Sequence, residues 1–137
     1  MRVSKEVLAP TVADATQYID QLDLHYIVDS MCAATYPLPR WAVTDAMYCM
    51  RLYKNFLLLF KLYPGESLVP TREIDEFWHA HILYTKRYHQ DCINIFGYYL
   101  HHEPARPGDN PEKLVQGFLN TKQLYLKHFQ QPMDLIN

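Results

Sequence analysis

Five of the seven histidines in this chain fall within twenty-four consecutive positions, between residues 79 and 102. Imidazole side chains bind transition metals and transfer protons near neutral pH, and carboxylates and thiolates share these roles. Carboxylate and thiol side chains are both interleaved with the histidines in this stretch. The crowded stretch therefore predicts a functional site, although residue types alone name no reaction. Its titratable members include Asp75, His79, His81, His89, Asp91, Cys92, His101, His102 and Glu103.

One helix and the turn after it must position most of these side chains. The pattern predicts a helix from Glu73 to about Phe96, with Thr71 as a suitable N-cap and Gly97 as a suitable C-cap. Two adjacent histidines follow the stop at Gly97, where the chain can fold back beside the helix. Because neighbouring side chains in a turn point apart, we expect one of the two to face the site.

Helical geometry limits which of the side chains can act together. A helix turns by about 100° per residue, so His79 and His81 point roughly 200° apart and cannot bind one ion side by side. Asp75 and His79 lie one turn apart on the flank of the predicted helix. A carboxylate in that position can hydrogen-bond to an imidazole and fix its orientation.

The first hypothesis is a transition-metal site between the predicted 73–96 helix and the His101-His102 turn. Nitrogen-rich ligation with few thiolates favours zinc, and iron or copper would also fit. An open coordination position would allow a metal-bound water to support hydrolysis or redox chemistry. The predicted ligands are Asp75, His79, His81, His101 and His102, and the predicted supporting residues are Trp78, Tyr88, His89, Asp91 and Cys92.

The second hypothesis is a non-catalytic protein-interaction module, in which the same His, Trp and Tyr side chains form a structural polar core. His81 and His89 are then core histidines, Cys92 is a buried small hydrophobe, and Asp91 is a solvated helix residue. A third hypothesis is a metal-free acid–base enzyme that uses His79 with an aspartate one turn away. The sequence contains no zinc-protease motif, phosphate loop or nucleophile elbow, so it leaves open whether the chain is an enzyme.

The rest of the chain is also predicted to be helical, because apolar residues recur at helical spacing and no stretch alternates with period two. Two prolines within residues 36–40 and three between residues 103 and 111 mark breaks between helices. The predicted fold is all-α, with residues 1–137 forming one domain of five or six helices. Besides the 73–96 helix, the predicted helices are 12–22, 23–34, 42–62 and 111–129.

Composition and charge indicate what kind of partner, compartment and membrane association to expect. A net charge of -2 gives no reason to expect a nucleic-acid partner. Three widely spaced cysteines indicate a reducing compartment rather than a disulfide framework. The N-terminus lacks an apolar signal core, and the longest apolar run, residues 56–60, is too short to span a bilayer. The sequence therefore predicts a cytoplasmic protein without a membrane segment, whose partner is a protein or a small molecule.

The histidine-rich run resembles the helical domain of the glycine-rich domain-containing protein-like family, as a short stand-alone member of bacterial type. The matching pattern is Asp-x-x-Trp-His-x-His-x-Leu, followed by Tyr-x-x-Asp and a later Phe-Gly and His. It covers residues 69–104, whereas residues 1–40 carry no such resemblance. The resemblance implies no settled biochemical activity. The positions carried over are Asp75, Trp78, His79, His81, Tyr88, Asp91, Cys92 and His102, with His101 beside the last.

The chain departs from this family pattern in two places. Tyr84 stands where an acidic residue is common, and Glu103 begins a segment where aromatic residues often follow the histidine pair. The missing carboxylate at position 84 weakens any mechanism that needs a further acid there, and it leaves the histidines unchanged.

Overall fold

The computed structural model describes residues 9–135, which form six helices and no strand. The predicted all-α fold is therefore confirmed for this range. Most of the N-terminal segment predicted to lack a signal core lies outside the described residues. None of the helices in residues 9–135 is long and apolar enough to cross a membrane. The helices are α1 (Val12–Gln21), α2 (His25–Cys32), α3 (Val43–Leu62), α4 (Arg72–Leu83), α5 (Thr85–Phe96) and α6 (Pro111–Phe129).

Local sequence explains where several of these helices begin and end. Thr11 caps α1 through its hydroxyl, which accepts a bond from the backbone N–H of Asp14, and the Asp14 carboxylate accepts from the Thr11 N–H in return. Thr71 caps α4 as predicted, because its hydroxyl accepts a bond from the backbone N–H of Ile74. Gly97 ends α5 with a φ of 84°, a left-handed conformation that favours glycine. Pro111 occupies the first turn of α6, where its missing N–H is not needed.

The predicted continuous helix 73–96 is wrong, because the chain breaks at Tyr84 into α4 and α5. The backbone of Tyr84 leaves the helical region (φ −86°, ψ 71°). Its ring packs edge-on against the ring of Tyr26 on α2, with the two ring centroids 4.8 Å apart. No proline or glycine marks this point, so tertiary packing overrides a locally helical sequence. Ten residues of straight helix would separate His81 and Asp91 by about 15 Å along the axis. The break brings their side chains to 2.8 Å.

Helix α3 is the centre of the domain and packs against α1, α2, α4 and α6. Its buried residues lie on more than one side, in keeping with neighbours all around it. Helix α5 packs against α1 and α4, so the histidine-rich α4 lies between α3 and α5. This arrangement places the polar residues of α4 next to side chains from three other helices. The buried residues of α3 are Ala46, Cys49, Leu52, Tyr53, Lys54, Phe56, Leu57 and Leu59.

Candidate functional site

A chain of hydrogen bonds joins four helices inside the domain, and we call it the buried network. His81 of α4 is 1% exposed, and its Nδ1 lies 2.7 Å from the hydroxyl of Tyr53 on α3. Its Nε2 lies 2.8 Å from Oδ2 of Asp91 on α5. The hydroxyl of Tyr18 on α1 donates to Oδ1 of the same carboxylate at 2.6 Å. Both ring nitrogens and both carboxylate oxygens therefore have partners.

Burial fixes the protonation of the phenols in this network. Complete burial raises the pKa of Tyr53 well above its ordinary value, and partial burial raises the pKa of Tyr18. Both hydroxyls therefore keep their protons near neutral pH. Because Tyr53 keeps its proton, its hydroxyl can donate to Nδ1 of His81, and the Nε2–H of the same ring can then donate to Asp91. Every polar group in the network then has its complement.

A second histidine–aspartate pair lies nearer the surface, and we call it the exposed pair. Nε2 of His102 lies 2.6 Å from Oδ1 of Asp75 on α4, with side chains that are 13% and 48% exposed. The His102 ring stacks on Trp78 with centroids 3.9 Å apart and planes 5° apart. The indole N–H donates to the hydroxyl of Tyr88 at 3.0 Å, which in turn donates to the carbonyl of Leu100 at 2.5 Å. This relay fixes the turn that carries His102.

A cleft of about 630 Å³ opens beside the exposed pair, within the range of about 300–1,000 Å³ that is typical of ligand pockets. Its walls come from the α3–α4 loop, the start of α4 and the segment after α5. It combines apolar side chains with charges of both signs. The lining residues are Phe60, Glu66, Ser67, Leu68, Val69, Pro70, Thr71, Arg72, Asp75, Trp78, His101, His102, Glu103, Pro104, Ala105 and Leu114.

The five predicted metal ligands are divided among three environments. Asp75, His101 and His102 line the cleft, although the His101 ring is exposed and lies against Tyr99. His81 belongs to the buried network, and His79 is exposed on α4. Across the described range, no group of three or more His, Cys, Asp or Glu side chains is arranged to hold a metal ion. The metal site stays a prediction.

The predicted supporting residues are also divided between core and surface. The prediction that His89 is a core histidine is wrong, since its side chain is exposed on α5. Cys92 is buried, and burial raises the pKa of its thiol, which disfavours the reactive thiolate. Trp78 and Tyr88 are buried and link α4 to the turn after α5. Asp91 is buried at 7% exposure, so the alternative of a solvated helix residue is wrong for it.

Sequence reasoning missed two partners of the buried network. Tyr53 lies within the predicted 42–62 helix, and nothing in its local sequence signals a hydrogen bond to His81. Tyr18 lies 73 positions from Asp91, and no local pattern signals that contact. The pairing of Asp75 with His102 rather than His79 was also missed, because it depends on how the chain returns after Gly97.

Comparisons with known proteins agree with the resemblance seen in the sequence. The sequence model of the family described as UCP032817-like matches residues 14–125, well over half of the chain. The expectation that residues 1–40 carry no family resemblance is therefore wrong from residue 14 onwards. A segment of 74 residues is 35% identical to glycine-rich domain-containing protein 1 of Arabidopsis thaliana, covering 50% of this chain and 9% of that protein. The chain thus spans only a small fraction of this relative's length. No solved structure matches the chain.

Proposed function

The chain belongs to the UCP032817-like family, and we propose that its domain is a non-catalytic protein-interaction module. In this proposal the buried network is the scaffold, and the cleft beside the exposed pair binds a segment of a partner protein. One observation carries the proposal. Both ring nitrogens of His81 and both carboxylate oxygens of Asp91 already have partners on other helices. A network without a free group supports a structural role for the cluster.

The shape of the cleft supports an extended peptide as its ligand. Two of its walls, residues 67–71 and 101–105, are themselves extended or irregular and form neither helix nor strand. Extended segments carry backbone groups that a peptide can pair with, while side-chain pockets supply selectivity. Apolar residues lie beside charged ones of both signs, so the cleft can offer a peptide both apolar contact and charge pairing. The apolar side chains include Phe60 and Leu114, and the charged ones are Glu66, Arg72, Asp75 and Glu103.

A phage-displayed library of random peptides tests the proposal directly. Peptides enriched on the wild-type protein would be synthesised, and their affinities measured by fluorescence anisotropy. Ala105 lies in the cleft wall, so Ala105→Trp places a large side chain in the binding space. Ala34 is exposed in a turn that does not line the cleft, so Ala34→Trp is the matched control.

We expect the enriched peptides to lose at least about tenfold in affinity for Ala105→Trp, equivalent to about 1.4 kcal/mol, and to bind Ala34→Trp normally. Backbone NMR shifts on peptide addition should concentrate in residues 66–72 and 101–105. Two results would overturn the proposal. One is a library that yields no binding peptide, and the other is equal binding to both tryptophan variants.

A transition-metal site is the second candidate, because Asp75, His101 and His102 of the predicted ligands line the same cleft. For all three to act, the His101 ring would have to leave its contact with Tyr99. Metal content measured by plasma mass spectrometry on untagged protein tests this candidate. Near-stoichiometric metal that is lost in His102→Ala but kept in His79→Ala would favour a cleft site. Only trace metal after loading with zinc would argue against it.

A further inference from the structure

Negative charge is concentrated in the cleft beside the exposed pair. Its lining includes three carboxylates and one guanidinium, a formal charge of −2 with the histidines neutral; these residues are Glu66, Asp75, Glu103 and Arg72. The whole chain has the same formal charge of −2, so the charged residues outside the cleft balance one another in sum. A cleft with charge of one sign and partly apolar walls focuses its field and attracts ligands of the opposite sign.

The domain does not neutralise these three carboxylates with its own cations. Across residues 9–135, lysine and arginine form two ion pairs with carboxylates, Arg106 with Asp109 and Lys122 with Asp134. Neither pair involves a residue that lines the cleft. Arg72 lines it and is exposed, but takes part in no ion pair within the same range. The negative charge of the cleft is therefore available to a ligand.

Asp75 has one carboxylate oxygen that a ligand can use. Its Oδ1 lies 2.6 Å from Nε2 of His102, whose ring is fixed by stacking on Trp78. The Asp75 side chain is 48% exposed, and among the described residues only Oδ1 is engaged. A cation in the cleft can therefore contact Oδ2 and leave the exposed pair intact. A single oxygen suits an ammonium group or one N–H of a guanidinium.

Glu66 and Glu103 extend the negative charge to two walls of the cleft. Oε1 of Glu66 accepts a hydrogen bond from the side-chain amide of Asn120 on α6 at 2.9 Å, which holds this carboxylate in the α3–α4 loop. Glu103 is exposed in the segment after α5. Carboxylates on separate walls can pair with different basic side chains of one extended peptide.

We propose that the cleft binds a basic peptide segment, in which lysine and arginine outnumber acidic residues and one basic side chain contacts Oδ2 of Asp75. The inference rests on the proposed function, because it names the chemistry of the peptide that the cleft binds. Apolar residues of the same peptide pack against Phe60 and Leu114. Charge complementarity then selects among peptides that the apolar walls alone do not distinguish.

The composition of the library peptides selected on the wild-type protein is the first measurement. We expect them to carry more positive charge than the unselected library. Synthetic copies in which glutamine replaces every lysine and arginine should bind at least about tenfold more weakly in fluorescence anisotropy. Raising NaCl from about 0.05 M to about 0.5 M should also weaken the binding of the basic peptides, because salt screens exposed charges.

A pair of charge-matched variants locates the effect in the cleft. Glu66→Gln with Glu103→Gln removes two exposed carboxylates and keeps the side-chain size, so basic peptides should lose about tenfold in affinity. Asp20→Asn with Asp29→Asn changes the net charge equally at exposed residues of α1 and α2, which supply no cleft residue. This control should bind like the wild type. Asp75→Asn, which keeps a carbonyl acceptor, should also weaken the basic peptides.

The outcomes separate this inference from the proposed function. Selected peptides that are neutral or acidic would refute the inference while the cleft remained a peptide-binding site. Equal affinity of basic peptides for the wild type and the double glutamine variant would refute it in the same way, and full affinity for Asp75→Asn would refute the contact with Oδ2. A library that yields no binding peptide would refute both proposals. Binding of spermidine as tight as that of the peptides would assign the cleft to a small polyamine instead.

Discussion

The domain contains two histidine–aspartate pairs of nearly equal length in very different surroundings. In the buried network, His81 and Asp91 lie 2.8 Å apart with side chains 1% and 10% exposed. In the exposed pair, His102 and Asp75 lie 2.6 Å apart with side chains 13% and 48% exposed. Distance therefore does not distinguish the two pairs, whereas access to solvent and the number of further partners do.

This difference decides what each pair can do. A buried pair that loses one partner leaves a desolvated polar group without a complement, which costs about 3–5 kcal/mol. An ion pair near the surface is worth about 0–1 kcal/mol, because water can replace either partner. The buried network is therefore tied to folding, while the exposed pair can exchange its contacts for those of a ligand at small cost.

The largest effect should come from the aspartate of the buried network. Asp91→Ala removes the acceptor of both His81 and Tyr18, so we expect the free energy of unfolding to fall by about 3–5 kcal/mol in urea titrations. Asp75→Ala is the matched control, with an expected loss of about 1 kcal/mol or less. Equal losses in the two variants would remove the distinction between the pairs.

The second-largest effect should come from alkaline pH, which lowers the free energy of unfolding through the tyrosines of the buried network. The pKa of Tyr53 is raised by burial, so above its ordinary value of 10.0 the unfolded chain releases a proton that the folded chain retains. The stabilisation is complete below pH 10 and is lost as the pH rises towards the folded-state pKa. At pH 11 the expected loss is about 1.4 kcal/mol for each such tyrosine, measured as a fall in the urea midpoint.

Tyr53→Phe separates this contribution from the other tyrosines. The variant should be less stable at pH 7 by about 1–3 kcal/mol, because Nδ1 of His81 loses its partner, and its stability should fall less steeply above pH 10. The pKa of Lys54, which burial lowers, gives a slope of opposite sign in both proteins and cancels in the comparison. An identical alkaline slope in wild type and variant would show that Tyr53 does not ionise on unfolding as expected.

Helix positions were largely predictable because they depend on local chemistry. The bounds of α3 and α6 agree with the sequence to within one residue, since each combines apolar spacing with a proline or glycine break beside it. The break at Tyr84 was not predictable. Residues 83–86 contain neither proline nor glycine, and the contact that Tyr84 makes at the break is with Tyr26, 58 positions earlier in the chain, which no local pattern signals.

The candidate site was predictable as a region but not as a set of pairs. The crowded stretch supplies His81, Asp91 and His102 to the two pairs, whereas His79 and His89 are exposed and belong to neither. Helical spacing then favoured Asp75 with His79, one turn away, whereas the folded chain pairs Asp75 with His102 across a loop. Such a pairing depends on the path of the chain after Gly97, which no local pattern fixes. The contact between His81 and Asp91 was likewise not predictable, because it depends on the break at Tyr84.

The smallest change in stability should come from the histidine of the exposed pair, and this variant most sharply separates the two regions. His102→Phe keeps a ring that can stack on Trp78 but removes the contact with Asp75, so we expect a loss below about 1 kcal/mol. His102→Ala also loses the stack and should cost about 0.5–1.5 kcal/mol more. Urea titration of both variants measures these losses, and anisotropy measures their affinity for cleft-binding peptides.

A stable His102→Phe protein with weakened peptide binding would assign His102 to recognition rather than to folding. Full binding together with a large loss of stability would instead make the exposed pair a second structural element, and the contrast between the pairs would then be one of degree.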